Sequence, residues 1–318
     1  MNTFGDTFTF TSFGESHSAA IGGILDGVPA GLTIDLELIR QELNRRAGRN
    51  VSNLATSTRA AAEPDQVEWL SGVLDGVTLG TPIAFLIRNR KHQSSDYEYL
   101  RHTIRHAHAD ATYMAKYGIR DWRGGGRASA RETAARVVAG TIARQLLAAR
   151  GITIHAALTQ VGNTTNPELF ANQIEQARIE GDSIGGIVSC YVTGMPAGYG
   201  EPIFDKLQAH LAYAMLSINA CKGFDYGSGF EQVNERGAVA NRESGGMLGG
   251  ISDGTPIRFR CVFKPTPSTP INGVKGRHDA CVAVRAVPVV EAMTALVLAD
   301  AMQSLFPQSL QLNGEVTH

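Results

Sequence analysis

Three short polar clusters carry the residue types from which an active site could be built. Residues 14–17 are Gly-Glu-Ser-His, residues 123–132 hold three glycines between two arginines, and residues 275–279 are Lys-Gly-Arg-His-Asp. Each cluster places a titratable side chain or a fixed cation beside glycine, where a ligand can approach the backbone closely. If the fold joins them, they supply imidazole acid–base groups, a carboxylate and several arginines. That combination suits an enzyme acting on an anionic small molecule.

The glycine-rich cluster has the features of an anion-binding loop. Residues 124–126 are all glycine, lie between Arg123 and Arg127, and lead into a predicted helix. The N-terminus of a helix offers unpaired N–H groups and partial positive charge, which favours contact with a phosphate or a flavin edge. The Gly-Lys-Ser/Thr ending of a Walker A loop is missing, and the dinucleotide fingerprint is not matched. The alternative is an ordinary turn capped by Ser129, whose spacing to Glu132 is that of a capping box.

A histidine-rich stretch has the spacing His-x-x-x-His-x-His. His102, His106 and His108, with Asp110 as a fourth ligand, could bind a metal ion. We favour the alternative that this stretch is a partly basic loop in which only His108 acts, as a proton donor. No metal site is therefore predicted. His17 is weaker evidence by itself, because a lone histidine is usually structural or solvated.

Other segments offer groups that could hold an anion. Arg277 and Asp279 could form a surface ion pair, or an anion-holding arginine beside a general base. Residues 264–268, at the exit of a predicted strand, provide an ammonium group and hydroxyls. The first predicted helix ends with three arginines, which is more positive charge than is needed to complement the dipole at a helix C-terminus, so we favour anion binding there. These arginines are Arg45, Arg46 and Arg49.

The composition is that of a soluble globular protein. The chain has 318 residues, of which 43% are hydrophobic and 19% charged, and its formal net charge is -1. Nothing global therefore indicates nucleic acid or a membrane as a partner. No apolar run is long enough to span a membrane and no signal peptide is evident, so we expect a cytoplasmic protein. The cysteines lack Cys-x-x-Cys spacing, so neither a disulfide framework nor a cysteine zinc site is expected; they are Cys190, Cys221, Cys261 and Cys281.

Short strands and amphipathic helices must position these clusters. Asp35 is a plausible N-cap for a helix that ends near Gly48, and residues 21–34 are expected to form a strand, a turn and a second strand. Further helices are expected after Ser129, Pro202 and Pro288. Residues 257–263 alternate in polarity as a strand with one core face does. The predicted helical core faces are Leu36, Ile39 and Leu43; Val138, Ile142 and Leu146; Leu207, Leu211, Met215 and Ile218; and Val289, Met293, Leu296 and Val297.

An internal repeat suggests the architecture. Residues 74–83 resemble residues 248–257, and residues 27–31 resemble residues 194–198, in the same order and at nearly the same offset. We predict an α/β protein, layered as an α+β β-α-β sandwich with an internal pseudo-twofold repeat. The whole chain would be a single domain, with halves at roughly 1–150 and 151–318. Coincidence between similar turn–strand units is the alternative.

Taken together, these segments resemble chorismate synthase. The resemblance runs over residues 4–300, and each motif is weak alone while their order and number make the match specific. The motifs are Phe-Gly-Glu-Ser-His at 13–17, Asp-Gly-Val-Pro-Ala-Gly at 26–31, His-Ala-Asp at 108–110, Lys-Tyr-Gly-Ile-Arg-Asp at 116–121, the glycine-rich stretch at 123–133, Met-Leu-Ser-Ile-Asn-Ala at 215–220 and Lys-Gly-Arg-His-Asp at 275–279.

The resemblance implies a phosphate-eliminating carbon–oxygen lyase of the shikimate pathway, which serves aromatic amino acid biosynthesis. Such an enzyme converts 5-enolpyruvylshikimate 3-phosphate to chorismate by an anti-1,4 elimination that requires reduced FMN without net redox change. The substrate carries two carboxylates and a phosphate, in keeping with clustered arginines. The resemblance also implies a homotetramer. An external flavin reductase is expected, so that NADPH enters only indirectly, for flavin reduction.

The resemblance assigns roles residue by residue. His17 would donate a proton near the flavin or the leaving phosphate, His108 would protonate or stabilise reduced flavin near N1, and Asp279 would act with flavin N5 in proton removal. The substrate-side arginines are Arg46 and, more loosely, Arg49. The positions that match flavin contacts are Arg127, Ala128, Ser129, Asn219, Ala220, Gly249, Lys264, Thr266, Ser268 and Arg277, and of these Arg127 and Arg277 would serve both ligands.

The sequence departs from the family pattern at several points. Ala128 stands where the family usually has serine, so the hydroxyl is lost. Ser18 replaces a glycine, His106 and Ala107 replace a proline followed by a small residue, and Ala280 replaces a proline. Three stretches are also shorter than expected, and their loops are either trimmed or missing; we favour missing loops. They are residues 163–168, 235–245 and 268–274.

Two other classes of function are alternatives. One is a flavin reductase that uses a nicotinamide cofactor, although no separate nicotinamide site is evident. The other is an anion- or nucleic-acid-binding module built on the arginines. The near-neutral charge and the lack of an aromatic-rich basic stripe argue against it.

Overall fold

A computed structural model of the chain describes residues 1–49, 63–90, 94–105, 108–240, 242–267, 269–272 and 279–304. Of the residues singled out above, His106, Ser268 and Arg277 lie outside the described residues, together with Ala107, the rest of the third polar cluster before Asp279, and parts of the shortened stretches 235–245 and 268–274.

The first half of the chain builds an antiparallel sheet. Its five strands stand in the order β1-β2-β3-β7-β4, and a separate hairpin pairs β5 with β6. In β7, Ile83, Phe85 and Ile87 are fully buried and alternate with less buried residues, so one face of the sheet covers the core. The strands are β1 (Thr3–Phe4), β2 (Thr9–Phe13), β3 (Ala20–Asp26), β4 (Val67–Trp69), β5 (Val73–Leu74), β6 (Val77–Thr78) and β7 (Ile83–Arg88).

The second half builds a four-stranded antiparallel sheet in the order β10-β13-β9-β8. A hairpin of β11 and β12 again stands beside it. The predicted alternation in β13 is confirmed, because every second side chain from Ile257 to Phe263 is buried. The strands are β8 (Thr153–Val161), β9 (Gly186–Thr193), β10 (Cys221–Tyr226), β11 (Met247–Leu248), β12 (Ile251–Ser252) and β13 (Ile257–Phe263).

A layer of helices lies between the two sheets. Helix α3 packs on β2 and β3, helix α6 packs on β8 and β9, and the two helices pack against each other. The helices are α1 (Leu36–Ala47), α2 (Asp110–Tyr117), α3 (Thr133–Ala148), α4 (Phe170–Ile179), α5 (Leu207–Leu216) and α6 (Ala283–Ser304). Within the described ranges, no helix is both long enough and apolar enough to cross a bilayer.

The predicted β-α-β sandwich is therefore confirmed, and one glycine shows how tightly its middle layer is packed. A Cβ atom on Gly140 of α3 would lie 2.4 Å from the Cα and Cβ atoms of Ala292 in α6. Only a residue without a side chain lets these two helix backbones approach so closely.

The predicted internal repeat is visible in matching hydrogen bonds. Thr78 Oγ1 donates to the carbonyl oxygen of Pro29 at 2.6 Å, and Ser252 Oγ donates to that of Pro196, also at 2.6 Å. Thr78 Oγ1 also accepts the backbone N–H of Leu32 at 2.9 Å, and Ser252 Oγ accepts that of Tyr199 at 3.0 Å. Leu32 and Tyr199 each stand three positions after the proline. The two halves thus fasten equivalent turns to equivalent hairpins in the same way.

Two element boundaries differ from the sequence-based expectation. No strand follows β3 within residues 28–34; Thr33 alone pairs, as an isolated bridge to Val77. Helix α6 begins at Ala283, so Pro288 lies inside the helix instead of before it. Burial of Ala283 and Val284 in the core favours the longer helix over the loss of one hydrogen bond at the proline.

The caps of the first helix were predicted correctly. Asp35 accepts the N–H of Leu38 at 2.9 Å, and Gly48, with φ of 75°, ends α1. Leu36 is 45% exposed, however, so it does not belong to the core face with Ile39 and Leu43.

The capping box predicted for Ser129 and Glu132, at the start of α3, is wrong. Ser129 Oγ accepts the N–H of Arg131 at 3.2 Å, and the carboxylate of Glu132 pairs with Arg136. Residues 130–132 form a 3-10 turn that delays the start of α3 to Thr133. This tighter turn places the N–H of Arg131, rather than that of Glu132, against the serine.

The first of the shortened stretches closes as a turn. Val161 and Thr164 pair with each other directly after β8. Residues 163–168 thus form a short connection between β8 and α4, and the alternative of a trimmed or a missing loop stays a prediction.

Candidate active site

The imidazole of His17 is buried beneath the glycine-rich segment. Its Nδ1 lies 2.9 Å from Ser16 Oγ, and its ring meets the ring of Tyr97 edge-on at a centroid distance of 5.0 Å. A Cβ atom on Gly124 would lie 2.4 Å from His17 Cε1, and the φ of Gly124 is +70°. The glycine therefore leaves the space that the imidazole occupies, and the predicted link between the first two polar clusters is a direct contact.

His108 lies beside an arginine that joins it to the same segment. Arg105 donates to the carbonyl oxygen of Gly124 at 2.9 Å and holds both carboxylate oxygens of Asp110. Partial burial lowers the pKa of His108, the positive charges of Arg105 and Lys264 lower it further, and Asp110 opposes them. At neutral pH His108 is therefore mostly uncharged.

Three segments predicted to contact a flavin lie side by side. Asn219 Nδ2 donates to the carbonyl oxygen of Ala128 at 2.9 Å, and the N–H of Lys264 donates to that of Ala220 at 3.0 Å. Ala220 has a left-handed backbone with φ of 66°, which turns the chain between these two contacts. The carbonyl oxygen of Thr266 accepts a hydrogen bond from a neighbouring serine, Ser183, at 2.8 Å.

A broad cleft is lined by the glycine-rich segment and by the segment that carries Asp110. Arg127 reaches across it and donates to Ser12 Oγ at 2.7 Å and to the carbonyl oxygen of Gly14 at 3.2 Å. Arg123 and Glu15 also line the cleft, which is open to solvent and has a volume of about 1080 Å³. The cleft is bordered by charges of both signs, and Arg127 is the residue through which the matched flavin and substrate contacts reach its lining.

Asp279 belongs to a second group of contacts. Arg285 Nη1 donates to Asp279 Oδ2 at 2.5 Å, and Arg285 Nε donates to the carbonyl oxygen of Arg46 at 2.9 Å. Arg46, Arg285 and Asn219 line a narrow pocket of about 20 Å³, which is room for a single water-sized group. The segment 124–133 takes part in both groups, through Gly124 in the first and Ala130 in the second.

Arg46 is buried and paired, which limits what its charge can do for a ligand. Its Nη2 lies 3.0 Å from Asp65 Oδ2, and the other oxygen of Asp65 pairs with Arg131. Burial, opposed by Asp65 and aided by its cationic neighbours, lowers the pKa of Arg46 to about 10. Burial alone would raise the pKa of Asp65, but the two arginines hold it below its ordinary value.

For two predicted ligand residues the described contacts are with other parts of the chain, and their roles stay predictions. Arg49 turns back over the end of α1, where it donates to Asn44 Oδ1 at 2.5 Å. Gly249 lies in the β11–β12 turn, next to Leu207 at the start of α5, whereas Asn219 follows the end of that helix. The ten residues of α5 separate the two positions by about 15 Å.

The histidine stretch does not form a metal site in the described part of the chain. His102 is exposed, and the ranges that the structure describes hold no cluster of three or more histidine, cysteine, aspartate or glutamate side chains arranged to bind a metal ion. Asp110 instead accepts hydrogen bonds from Arg105, as described above.

Sequence reasoning missed Arg285 and Asp65. A usable signal existed for Arg285, because it is the only charged residue within the apolar segment 280–290. A lone charge in such a run indicates a buried side chain with a partner. Asp65 carries no comparable local signal, since its partners come from α1 and from the turn before α3.

Comparisons with known proteins identify the family of this chain. A family model described as chorismate synthase matches residues 8–303. Chorismate synthase of Christiangramia forsetii is 47% identical over 347 residues, covering 94% of this chain and 96% of that protein. Chorismate synthase of Porphyromonas gingivalis is 47% identical over 355 residues, covering 95% of each.

A solved structure agrees as well. It is titled "Crystal Structure of Chorismate Synthase", superposes with a TM-score of 0.75 at 29% identity, and covers 95% of this chain and 93% of its own. The sequence alignments are longer than the 318 residues of this chain, so the relatives carry segments that it lacks. By the extent and level of these matches, the chain belongs to the chorismate synthase family and is a lyase.

Proposed function

We propose that this protein converts 5-enolpyruvylshikimate 3-phosphate to chorismate and phosphate by an anti-1,4 elimination that requires reduced FMN. The observation that carries the proposal is the convergence on one glycine-rich segment. His17 contacts it directly, His108 neighbours the arginine bound to it, and Asn219 is hydrogen-bonded to its far end. Acid–base groups thus stand next to the residues that match flavin contacts.

The residues present fit a flavin mononucleotide. Asn219 Oδ1 is buried and has no hydrogen-bond partner among the described residues, so it can accept an N–H of a ligand. Arg127 and Lys264 supply cations for a phosphate group, and Ala128, Ser129, Ala220 and Thr266 supply adjoining backbone. Ser268, Arg277 and Gly249 complete the set of proposed contacts. Bound reduced FMN supplies electron density transiently while phosphate leaves, without net redox change.

His17 and His108 provide the proton transfers on one side of this site. His17 would donate a proton to the departing phosphate, and its burial against Ser16 and Gly124 fixes its orientation. His108 is mostly neutral before ligands bind, because burial and two cations lower its pKa. A bound anion offsets those cations, so His108 would then hold a proton beside flavin N1.

Asp279 and the arginines complete the proposed chemistry. The Asp279 carboxylate would take up the proton that leaves C6 of the substrate, acting next to flavin N5. Arg127 and Arg277 would hold anionic groups of substrate and cofactor. Arg46 and Arg49 are proposed on the substrate side, Arg46 through its buried Nε, which no described residue satisfies.

An anaerobic assay tests the function. Purified protein with 5-enolpyruvylshikimate 3-phosphate and photoreduced FMN is expected to release chorismate and phosphate in equal amounts, and oxidised FMN or none is expected to give neither. Absence of product with reduced FMN would overturn the proposal. NADPH alone should not replace reduced FMN, since a separate flavin reductase is expected to supply it.

We also propose that the chain is a single domain over residues 1–318, and that it works in the cytoplasm as a homotetramer. Light scattering after gel filtration of the purified protein tests the assembly. A mass near four times 34.0 kDa supports the tetramer, and a mass of one chain contradicts it.

A further inference from the structure

Arg285 occupies an unusual position between the proposed catalytic carboxylate and the helix that carries Arg46. It lies in the first turn of α6, where Nη1 donates to Asp279 Oδ2 at 2.5 Å and Nε donates to the carbonyl oxygen of Arg46 at 2.9 Å. Both side chains of the Arg285–Asp279 pair are only 12% exposed. One planar guanidinium therefore ties the carboxylate to the last turn of α1 in a fixed direction.

The backbone next to Asp279 is held independently of this arginine. The carbonyl oxygen of Ala280 accepts the N–H of Ile184 at 2.7 Å, and Cys281 is buried in the core. Loss of the guanidinium would therefore leave the chain in place and would remove the hydrogen bond that Asp279 Oδ2 accepts from Arg285. What Arg285 fixes is the direction of the carboxylate, which is the property that proton removal depends on.

We propose that Arg285 is the positioning residue for the Asp279 carboxylate, and that its contribution to turnover is made through that carboxylate. This inference rests on the proposed function, in which Asp279 takes up the C6 proton. In that step the C6–H bond breaks, its electron pair enters the new diene, and phosphate leaves with the electrons of its C–O bond. A carboxylate displaced by about 1 Å can slow such a step about 100-fold.

The test is a double-mutant cycle with Arg285→Gln, Asp279→Asn and the double variant. Arg285→Gln is expected to lower kcat about 30- to 100-fold with KM changed less than about threefold. Added to Asp279→Asn, the same substitution is expected to lower kcat less than about threefold further, because its target is already lost. Arg285→Lys keeps the positive charge but lacks the planar guanidinium with its several N–H donors, so it should restore only part of the rate.

A kinetic isotope effect separates positioning from a general structural role. Substrate deuterated at the departing C6 position should show a larger isotope effect on kcat in Arg285→Gln than in the unmodified protein, since the misplaced base makes C–H cleavage slower. Affinity for FMN, measured by flavin fluorescence, should stay within about twofold, because Arg285 is not among the proposed flavin contacts.

Arg144→Gln provides a matched control. Arg144 also forms a partly buried ion pair with a carboxylate of α6, lying 3.2 Å from Glu291, but it lines neither of the pockets described here. This variant should lose stability while keeping kcat within about twofold. A drop in kcat as large as that of Arg285→Gln would show that any lost ion pair at these helices disturbs catalysis, which would overturn the inference.

The remaining outcomes are also decisive. If the unmodified protein makes no chorismate, the proposed function fails before Arg285 is tested. If the unmodified protein is active and Arg285→Gln has the same kcat, the inference fails while the proposed function stands. The same holds if the fold-loss in kcat of the double variant equals the product of the two single fold-losses. An unchanged isotope effect combined with slower turnover would likewise contradict positioning.

Discussion

Gly124 packs directly against His17, so that a side-chain carbon at position 124 would meet the imidazole Cε1 at 2.4 Å. This contact joins two motifs that are more than one hundred residues apart in the sequence. It makes the shape of the glycine-rich segment part of the proposed catalytic machinery, and a single added methyl group tests it.

Gly124→Ala is expected to lower turnover about 100-fold, because the new Cβ displaces His17. The left-handed backbone at this position adds about 1–2 kcal/mol of strain. Gly151→Ala is the matched control, since Gly151 has φ of +78° and a Cβ added there would have no atom within 4 Å. Gly124→Ala should also lose more stability than Gly151→Ala in thermal unfolding, because only its Cβ crowds a buried ring. Equal activity of the two variants would contradict the role of this contact.

Removal of each proposed catalytic side chain should show in the steady-state rate. His17→Ala, His108→Ala and Asp279→Ala are each expected to lower kcat about 100-fold or more in the anaerobic assay, as loss of an acid–base group does. His155→Ala, whose side chain is 79% exposed, should leave kcat unchanged. Normal turnover in all of the first three variants would refute the assigned roles.

The charge of Lys264 is expected to set part of the titration of His108. Lys264→Gln should raise the pKa of His108, because one of the cations that lower it is gone, while the backbone contact to Ala220 is kept. The His108 Cε1 proton, assigned with His108→Gln, reports the shift by NMR. Lys222→Gln, an exposed control on β10, should not move it. A fall in the pKa would contradict the proximity of Lys264.

The same shift predicts a pH dependence of stability. Because the pKa of folded His108 lies below its ordinary value of 6.5, protonation opposes folding. At pH values above that ordinary value, His108 is neutral in both states and does not change the free energy of unfolding. As the pH falls from the ordinary value through the folded pKa, the unfolded state binds the proton more readily, and the free energy of unfolding decreases. His108→Gln should therefore lose less stability than the unmodified protein between pH values near 7 and 5, as followed by urea unfolding. Parallel curves would contradict this.

Asp65 should be one of the most sensitive positions for stability. Asp65→Asn leaves Arg46 and Arg131 buried without a compensating charge, and breaking such a buried pair costs about 3–5 kcal/mol. The exposed pair of Glu37 and Arg40 is a matched control, and Glu37→Gln should change stability by less than about 1 kcal/mol. Urea midpoints compare the two, and similar midpoints would contradict a buried network.

The internal repeat predicts matched effects in the two halves. Thr78→Val and Ser252→Ala each leave a proline carbonyl and a backbone N–H without their hydroxyl, which costs about 1–3 kcal/mol. Thr153→Val, at an exposed hydroxyl pair on β8, should change stability by less than about 0.5 kcal/mol. Thermal unfolding of the three variants checks this, and a large effect in one half alone would weaken the equivalence.

Much of the fold could be predicted because local signals agree with it. Asp35 and Gly48 cap α1 as expected, the alternation in residues 257–263 identifies β13, and the repeated turn–strand units mark the two sheets. The failures occur where tertiary packing overrides a local rule. Pro288 lies inside α6 because the residues before it are buried, and the Ser129 turn is 3-10.

The candidate site divides along the same line. By itself, the sequence determined the chemical inventory: imidazoles, arginines and glycines in motifs specific enough to indicate the family. The tertiary structure decided which of them meet, since contacts such as Gly124 with His17 and Arg285 with Arg46 join residues separated by a long stretch of chain. It also decided that Arg46 is paired with Asp65. A buried charge is stable only beside an opposite charge that is close in space, whatever the distance between the two residues in the sequence.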